Sequence, residues 1–201
     1  MIKTFTISDI VSSNNYKLFN EITLNSMITL EKFLNEDLYT TYKGKLDNVD
    51  VIMKLYGEYS DANNEIEVLN YLQKHAPTKF PIPYASILYP KLNIDTYIEK
   101  LIIYQYIEGE ELNKSSIINK VILKNDIMKQ IEVLHKLNLV FGDIRIENII
   151  KLNSNHYYLI DYGRVFSLID KKFPPMNYMI EEDIIPSQED DINNLNKIIN
   201  F

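Results

Sequence analysis

Apolar and polar positions follow two different periods along this 201-residue chain. Residues 27–34, 38–46 and 49–56 form short runs rich in β-branched and aromatic types, and Asp47-Asn48 makes a turn between the last two, which predicts a meander of strands. From Ala62 to about Lys74 the period lengthens to that of a helix, with Ser60 or Asp61 as its cap. Pro77, Pro81 and Pro83 punctuate its exit. Two further strand-like runs follow, residues 84–89 and 98–107, separated by a turn over residues 90–95. Residues 115–138 read as a long helix whose apolar stripe is Ile127, Ile131, Leu134 and Leu137. Ile149-Ile150 and residues 157–160 then flank a polar turn, a β-hairpin signature. Ser187 and Asp190 make a capping box ahead of a last helix with Ile192, Leu195 and Ile198 as its buried face. Residues 1–26 show no firm period, and no motif can be placed in them.

Composition narrows the class. With 46% hydrophobic and 24% charged residues, 5 Gly and 7 Pro, the chain is an ordered globular protein of one domain or one compact two-lobed unit. Its net charge of −7 argues against a nucleic-acid or anionic-membrane binder. The absence of cysteine excludes disulfides, thiolate metal sites and cysteine nucleophiles. The first six residues lack the apolar core of a signal peptide and no run approaches a membrane span, so a cytoplasmic location is expected.

The chemistry concentrates between Val140 and Gly163. Asp143, Asn148 and Asp161 lie there, and the hairpin carries Asn148 at its entry and Asp161 at its exit, so the two ends should meet. Phosphoryl transfer needs such a set: one carboxylate to orient and deprotonate a hydroxyl, and a carboxylate with an amide oxygen to hold Mg2+ against phosphates. Upstream, Lys54 ends a run of three apolar residues; it is either an edge-strand charge or a phosphate ligand. On the helix that follows, Glu65 shares a face with Val68, Leu69 and Leu72. A carboxylate in an apolar stripe needs a cation, and Lys54 is the expected one; a first-turn acid favoured by the helix dipole is the alternative. His75, His135 and His156 have no companions at metal-ligand spacing; the first two fall at or near helix ends and the third in the hairpin turn.

D-x-x-x-x-N over residues 143–148, followed by Asp161-Tyr162-Gly163, resembles the catalytic and metal-binding loops of the protein-kinase-like superfamily. The resemblance implies an α+β, bilobal protein-kinase-like fold: a small β-rich N-lobe over residues 1–104 capped by residues 1–26, a hinge at 105–109, and a truncated, mainly helical C-lobe at 110–201. It implies Asp143 as base, Asn148 and Asp161 as Mg2+ ligands, and Lys54 on the ATP phosphates with Glu65 as its ion-pair partner. Backbone groups of Gln105, Tyr106 and Ile107 would bond the adenine, with Tyr104 behind it. Arg145 occupies the place of the catalytic-loop lysine, to neutralise the transferring phosphoryl group or to bind a nearby carboxylate. Asp191 would be the helix aspartate that accepts from the catalytic-loop backbone, or else another first-turn acid.

The sequence departs from the family pattern in three places. Phe141-Gly142-Asp143 stands where regulated protein kinases have His-Arg-Asp, which is similar to small RIO-like and KEOPS-complex-like kinases and to the aminoglycoside and choline phosphotransferases. Only 38 residues (201 − 163) follow Gly163, which implies a short C-lobe that a protein partner would complete. The phosphate-covering loop, residues 34–42, contains no glycine and carries Glu36 and Asp37, although close backbone approach to phosphates favours glycine. Two readings follow: an ATP- and Mg2+-dependent phosphotransferase, with Ser/Thr hydroxyls of a protein preferred over a small-molecule alcohol, or a pseudokinase binding module.

Overall fold

In the computed structural model, residues 3–11, 15–36, 39–57, 62–92, 98–112, 119–169, 173, 179–180 and 185–200 are described. The architecture is mixed α+β, and the chain divides into two compact units, residues 1–107 and 108–201.

The first unit is built on a seven-stranded antiparallel sheet. Its strands are β1 (Lys3–Thr6), β2 (Tyr16–Leu18), β3 (Met27–Glu36), β4 (Tyr39–Leu46), β5 (Val49–Tyr56), β6 (Pro83–Leu88) and β7 (Lys100–Gln105). Their order across the sheet is β1-β3-β4-β5-β7-β6-β2. The meander expected from the alternating pattern is present as β3-β4-β5, and Asp47 takes a positive φ of 52° at the turn before β5. The segment without a readable period supplies both sheet edges, β1 and β2, and a short helix α1 (Ile7–Ile10). Helix α2 (Ala62–His75) packs against β6 and β7. Its expected caps, Ser60 and Asp61, and the turn residues 93–95 lie outside the described residues. So does Asp37; the backbone of β3 reaches Glu36 in register with Thr40. Ile28, Leu46, Val51, Met53, Ile87 and Ile103 are among the side chains of this unit's core.

The second unit pairs helices with two small sheets. Strand β8 (Glu110–Glu111), β10 (Ile149–Lys151) and β11 (Tyr157–Leu159) form one sheet; β9 (Leu139–Val140) and β12 (Phe166–Ser167) form the other. Helix α3 runs over Lys120–Lys136, later than its apolar pattern suggested, because Asn119 caps it by accepting from the N–H groups of Val121 and Ile122. The expected start at Ser115 lies outside the described residues. Ile127, Ile131 and Leu134 are buried as the stripe requires, whereas Leu137 is half-buried because the helix ends at Lys136 and Leu137 is its C-cap. Helix α4 (Gln188–Ile199) begins at the Ser187–Asp190 capping box and packs along α3.

Candidate functional site

Two clusters of polar side chains stand out, one in each unit. In the first, Lys54 sits on β5, which is hydrogen-bonded to β4 on one side and β7 on the other, so it is not an edge-strand charge. Its ammonium donates to both oxygens of Glu65 at 3.0 and 2.9 Å. Glu65 is fully buried, and Tyr56, two residues beyond Lys54 on the same strand, donates its phenol to the same carboxylate at 2.8 Å. Residues two apart on a strand share a face, so β5 presents both donors to one acid on α2. Breaking such a pair by removing one partner costs about 3–5 kcal/mol, because the survivor is left charged in a dry site. Nearby, the Lys54 ammonium lies 5.7 Å from the ring centroid of Tyr104.

The segment expected to read a base is partly committed elsewhere. Gln105 donates its N–H to the carbonyl of Ile82 at 2.8 Å, and Tyr106 donates to that of Asp50 at 3.0 Å. Lys43 also stacks over the Tyr106 ring at 4.1 Å. Of the three amides, that of Ile107 has no acceptor among the described residues.

In the second unit the hairpin does what its spacing suggests. Ile149 pairs with Leu159, and Ile160 donates its N–H to the carbonyl of Asn148 at 2.9 Å, so residue 148 and the segment leading into Asp161 lie side by side. Asp161 takes a left-handed φ of 65°. Helix α3 ties the hairpin down: Asp126 accepts from the His156 ring at 2.8 Å and from the Tyr157 N–H at 3.2 Å, and Gln130 accepts from the Leu159 N–H at 3.2 Å. His156 is thus a hairpin anchor.

Asn148 is buried at the end of a 3₁₀ turn over Ile146–Asn148. Its Nδ2 donates to the carbonyl of Asp143 at 2.9 Å and to the Asp143 carboxylate at 2.8 Å. Both donors are therefore on Asp143, which leaves Oδ1 as the oxygen without a donor among the described residues. An amide oxygen on a side chain bonded to a carboxylate suits a hard cation. No group of three or more His, Cys, Asp or Glu side chains is placed to hold a metal among the described residues. Mg2+ does not need one, because it keeps waters and takes substrate phosphate oxygens as ligands.

Two guanidinium groups contact Asp143. Arg145 approaches through Nε at 3.4 Å and Arg164 through Nη1 at 3.3 Å. Of the two uses open to Arg145, the structure contains the carboxylate contact. Arg164, directly after Asp161-Tyr162-Gly163, was not singled out from the sequence; the signal available was a second arginine next to the motif.

The loop that carries Asp143 is held from α4. Asp191, only 1% exposed, accepts the N–H of Phe141 at 2.8 Å and of Gly142 at 3.0 Å, and its Oδ2 also meets the His135 ring at 2.9 Å. It is therefore more than a first-turn acid. Gly142 has a φ of 75°, and a Cβ there would lie 3.0 Å from the carbonyl oxygen of Arg164, so the position requires glycine. Phe141 packs edge-on against Tyr162 at 5.5 Å, and the Tyr162 hydroxyl donates to the carbonyl of Leu159.

The architecture is mixed α+β, and a kinase-like or phosphotransferase-related fold is what one family comparison suggests. A family model described as lipopolysaccharide core biosynthesis protein (WaaY) matches residues 82–172, less than half of the chain, and points to phosphotransferase-like chemistry. The matched stretch includes Asp143, Arg145, Asn148, Asp161 and Arg164 but neither the Lys54–Glu65 pair nor Asp191. No curated protein matches the chain. Among the described residues, no helix is long and apolar enough to cross a membrane.

Proposed function

We propose that this chain is an ATP-dependent phosphotransferase that moves the γ-phosphate to a hydroxyl of a small molecule, a saccharide being the class suggested by the name of the matched family. The carrying observation is the Asn148–Asp143 contact. In this reading it fixes the carboxylate that accepts the hydroxyl proton and leaves the amide oxygen as a ligand for a cation. The acceptor oxygen bonds to phosphorus, the bond to the β-γ bridging oxygen breaks, and ADP leaves with that electron pair. In this reading Lys54, held by Glu65, takes the α and β phosphates, and Asn148 with Asp161 holds Mg2+, which when bound neutralises phosphate charge. Arg145 turns to the transferring group, and Ile107 supplies the amide donor to adenine, with Gln105 and Tyr106 contributing carbonyls. The first unit acts as the nucleotide lobe and the second as the catalytic lobe of a kinase-like fold.

The sequence alone favoured a protein Ser/Thr hydroxyl. That preference gives way to the small-molecule reading because the family match is to saccharide biosynthesis and no finding favours a protein substrate.

Melting with and without Mg-ATP, followed by labelled-phosphate transfer to lipopolysaccharide core oligosaccharide and to casein, tests this. Nucleotide at about 100 times its dissociation constant should add about 2.7 kcal/mol of stability. The oligosaccharide should be labelled and casein not, and Asp143→Asn should keep the melting shift but lose transfer. No shift at millimolar nucleotide, or transfer undiminished in Asp143→Asn, would refute the assignment.

A further inference from the structure

Among the described residues, β11 is the outer strand of its sheet, with β10 on one side and no strand on the other. Helix α3 packs against it and closes that edge with side chains. Four successive amides alternate between the two sides. Tyr157 donates to the Asp126 carboxylate at 3.2 Å, and Tyr158 stands opposite Ile150 of β10. Leu159 donates to Oε1 of Gln130 at 3.2 Å, and Ile160 to the carbonyl of Asn148 at 2.9 Å. Side chains four apart on a helix are spaced by about 5–6 Å, and residues two apart on a strand by about 7 Å, so Asp126 and Gln130 offer oxygens where a further strand would offer carbonyls.

The two contacts fall at different points of the hairpin. Asp126 also accepts from the His156 ring, and it grips the turn end. Gln130, only 8% exposed, meets the strand two residues before Asp161. Its Nδ-side donor, Nε2, is turned back to the carbonyl of Asp126 at 3.4 Å, which directs the oxygen to the strand. As a neutral amide it satisfies that buried N–H without adding a charge. The residues leading into Asp161 are therefore held from α3 at Leu159 and from Asn148 at Ile160. Mg2+ tolerates little error in such a placement, because it takes near-octahedral geometry at about 2.0–2.1 Å.

We propose that Gln130 is a positioning residue for the metal-binding end of this hairpin: through the Leu159 N–H it fixes where Asp161 stands relative to Asn148, and hence how well the site fits Mg2+. The inference rests on the reading of Asn148 and Asp161 as the Mg2+ ligands, and it adds the residue on α3 that sets their separation. A glutamine that only satisfied a buried amide would contribute to stability and leave the response to Mg2+ unchanged.

The test uses the full chain. Mg2+ is titrated at a fixed concentration of a non-hydrolysable ATP analogue, with the melting temperature as readout, for wild type, Gln130→Met, Gln130→Asn and Gln130→Glu. Methionine keeps the length and loses the acceptor, asparagine withdraws the amide by one methylene, and glutamate keeps an oxygen at the same reach. Amide hydrogen exchange at Leu159 is followed in each by NMR, with the amides of α3 as the check on folding. In Gln130→Met and Gln130→Asn the Leu159 amide should exchange faster and the Mg2+ midpoint should rise about tenfold, and Gln130→Glu should restore both. Should Gln130→Met not fold, the asparagine and glutamate variants carry the same comparison. Lower melting temperatures with an unmoved Mg2+ midpoint, or a moved midpoint that glutamate does not restore, overturn the proposal and leave the phosphotransferase reading standing. If Mg2+ and the analogue do not shift the melting of wild type, the metal reading falls and this inference falls with it.

Discussion

The phenol of Tyr56 and the Lys54 ammonium share one oxygen of Glu65, at 2.8 and 2.9 Å, in a site from which water is excluded. A carboxylate with two unlike donors stays satisfied when one of them turns toward a ligand. In the proposed phosphotransferase reading, Tyr56 would keep Glu65 on the sheet-facing side of α2 while the lysine engages phosphate. Tyr56→Phe removes a hydrogen bond to a charged group without changing shape, and should lower the unfolding free energy by about 2 kcal/mol in urea titrations. Its effect and that of Glu65→Gln should be non-additive in a double-mutant cycle, since both act on one network.

Asp191 serves two amides and a histidine at once. Asp191→Ala strands the buried Phe141 N–H, and that of Gly142 beside it, and should cost about 3 kcal/mol. Because the residue after Gly142 is the proposed base, phosphate transfer should fall further than the loss of folded protein explains. Asp191→Asn keeps one acceptor oxygen and should cost less. Equal transfer rates per folded molecule in all three proteins would contradict a loop-positioning role.

Gly142→Ala should destabilise by about 1–2 kcal/mol, the expense of a left-handed conformation for an L-residue. The added methyl meets the Arg164 carbonyl and the Phe166 ring, each at 3.0 Å, so it also pushes the two sides of the loop apart. Thermal melting should report the first effect. A lowered kcat with little change in the KM for ATP should report the second.

Lys100, at the start of β7, is 6% exposed, and burial pulls its ammonium down to about 8 from 10.5 despite the attraction of Glu67. Lys17, which bonds Glu67, adds a small repulsion in the same direction as burial. A folded-state value below the unfolded one means the unfolded chain binds more protons between the two, so this residue's contribution to stability rises with pH from about 8 to about 10.5. Tyr84 and Tyr158 work in the opposite sense at the alkaline end, because burial raises both phenols. Comparison with Lys100→Met isolates the lysine: wild type should gain on the variant by about 2 kcal/mol between pH 8 and 10 in chemical denaturation. A difference that stays flat across that interval would mean the ammonium is solvated.

Much of the site could be read from local spacing. The hairpin that joins Asn148 to the approach of Asp161, the α2 stripe that buries Glu65 and the Ser187 capping box are each set by residues a few positions apart, so their periods and turn formers appear directly in the chain. Strand order left no such trace. Residues 1–26 became the two edges of the sheet because partners far along the chain, β3 and β6, had unpaired backbone groups there, and a strand of three or four residues is too short to show a period. The same limit hid Tyr56 behind Lys54 and hid Arg164 behind Asp143. Each is an ordinary residue beside a motif until another element folds against it. The sequence by itself determined which acids, amides and cations were available and on which local element each would ride. Only the tertiary structure decided which hydrogen-bond donors would share a carboxylate, because that depends on approach within about 3 Å of groups separated by many residues, and sequence spacing carries no information about it.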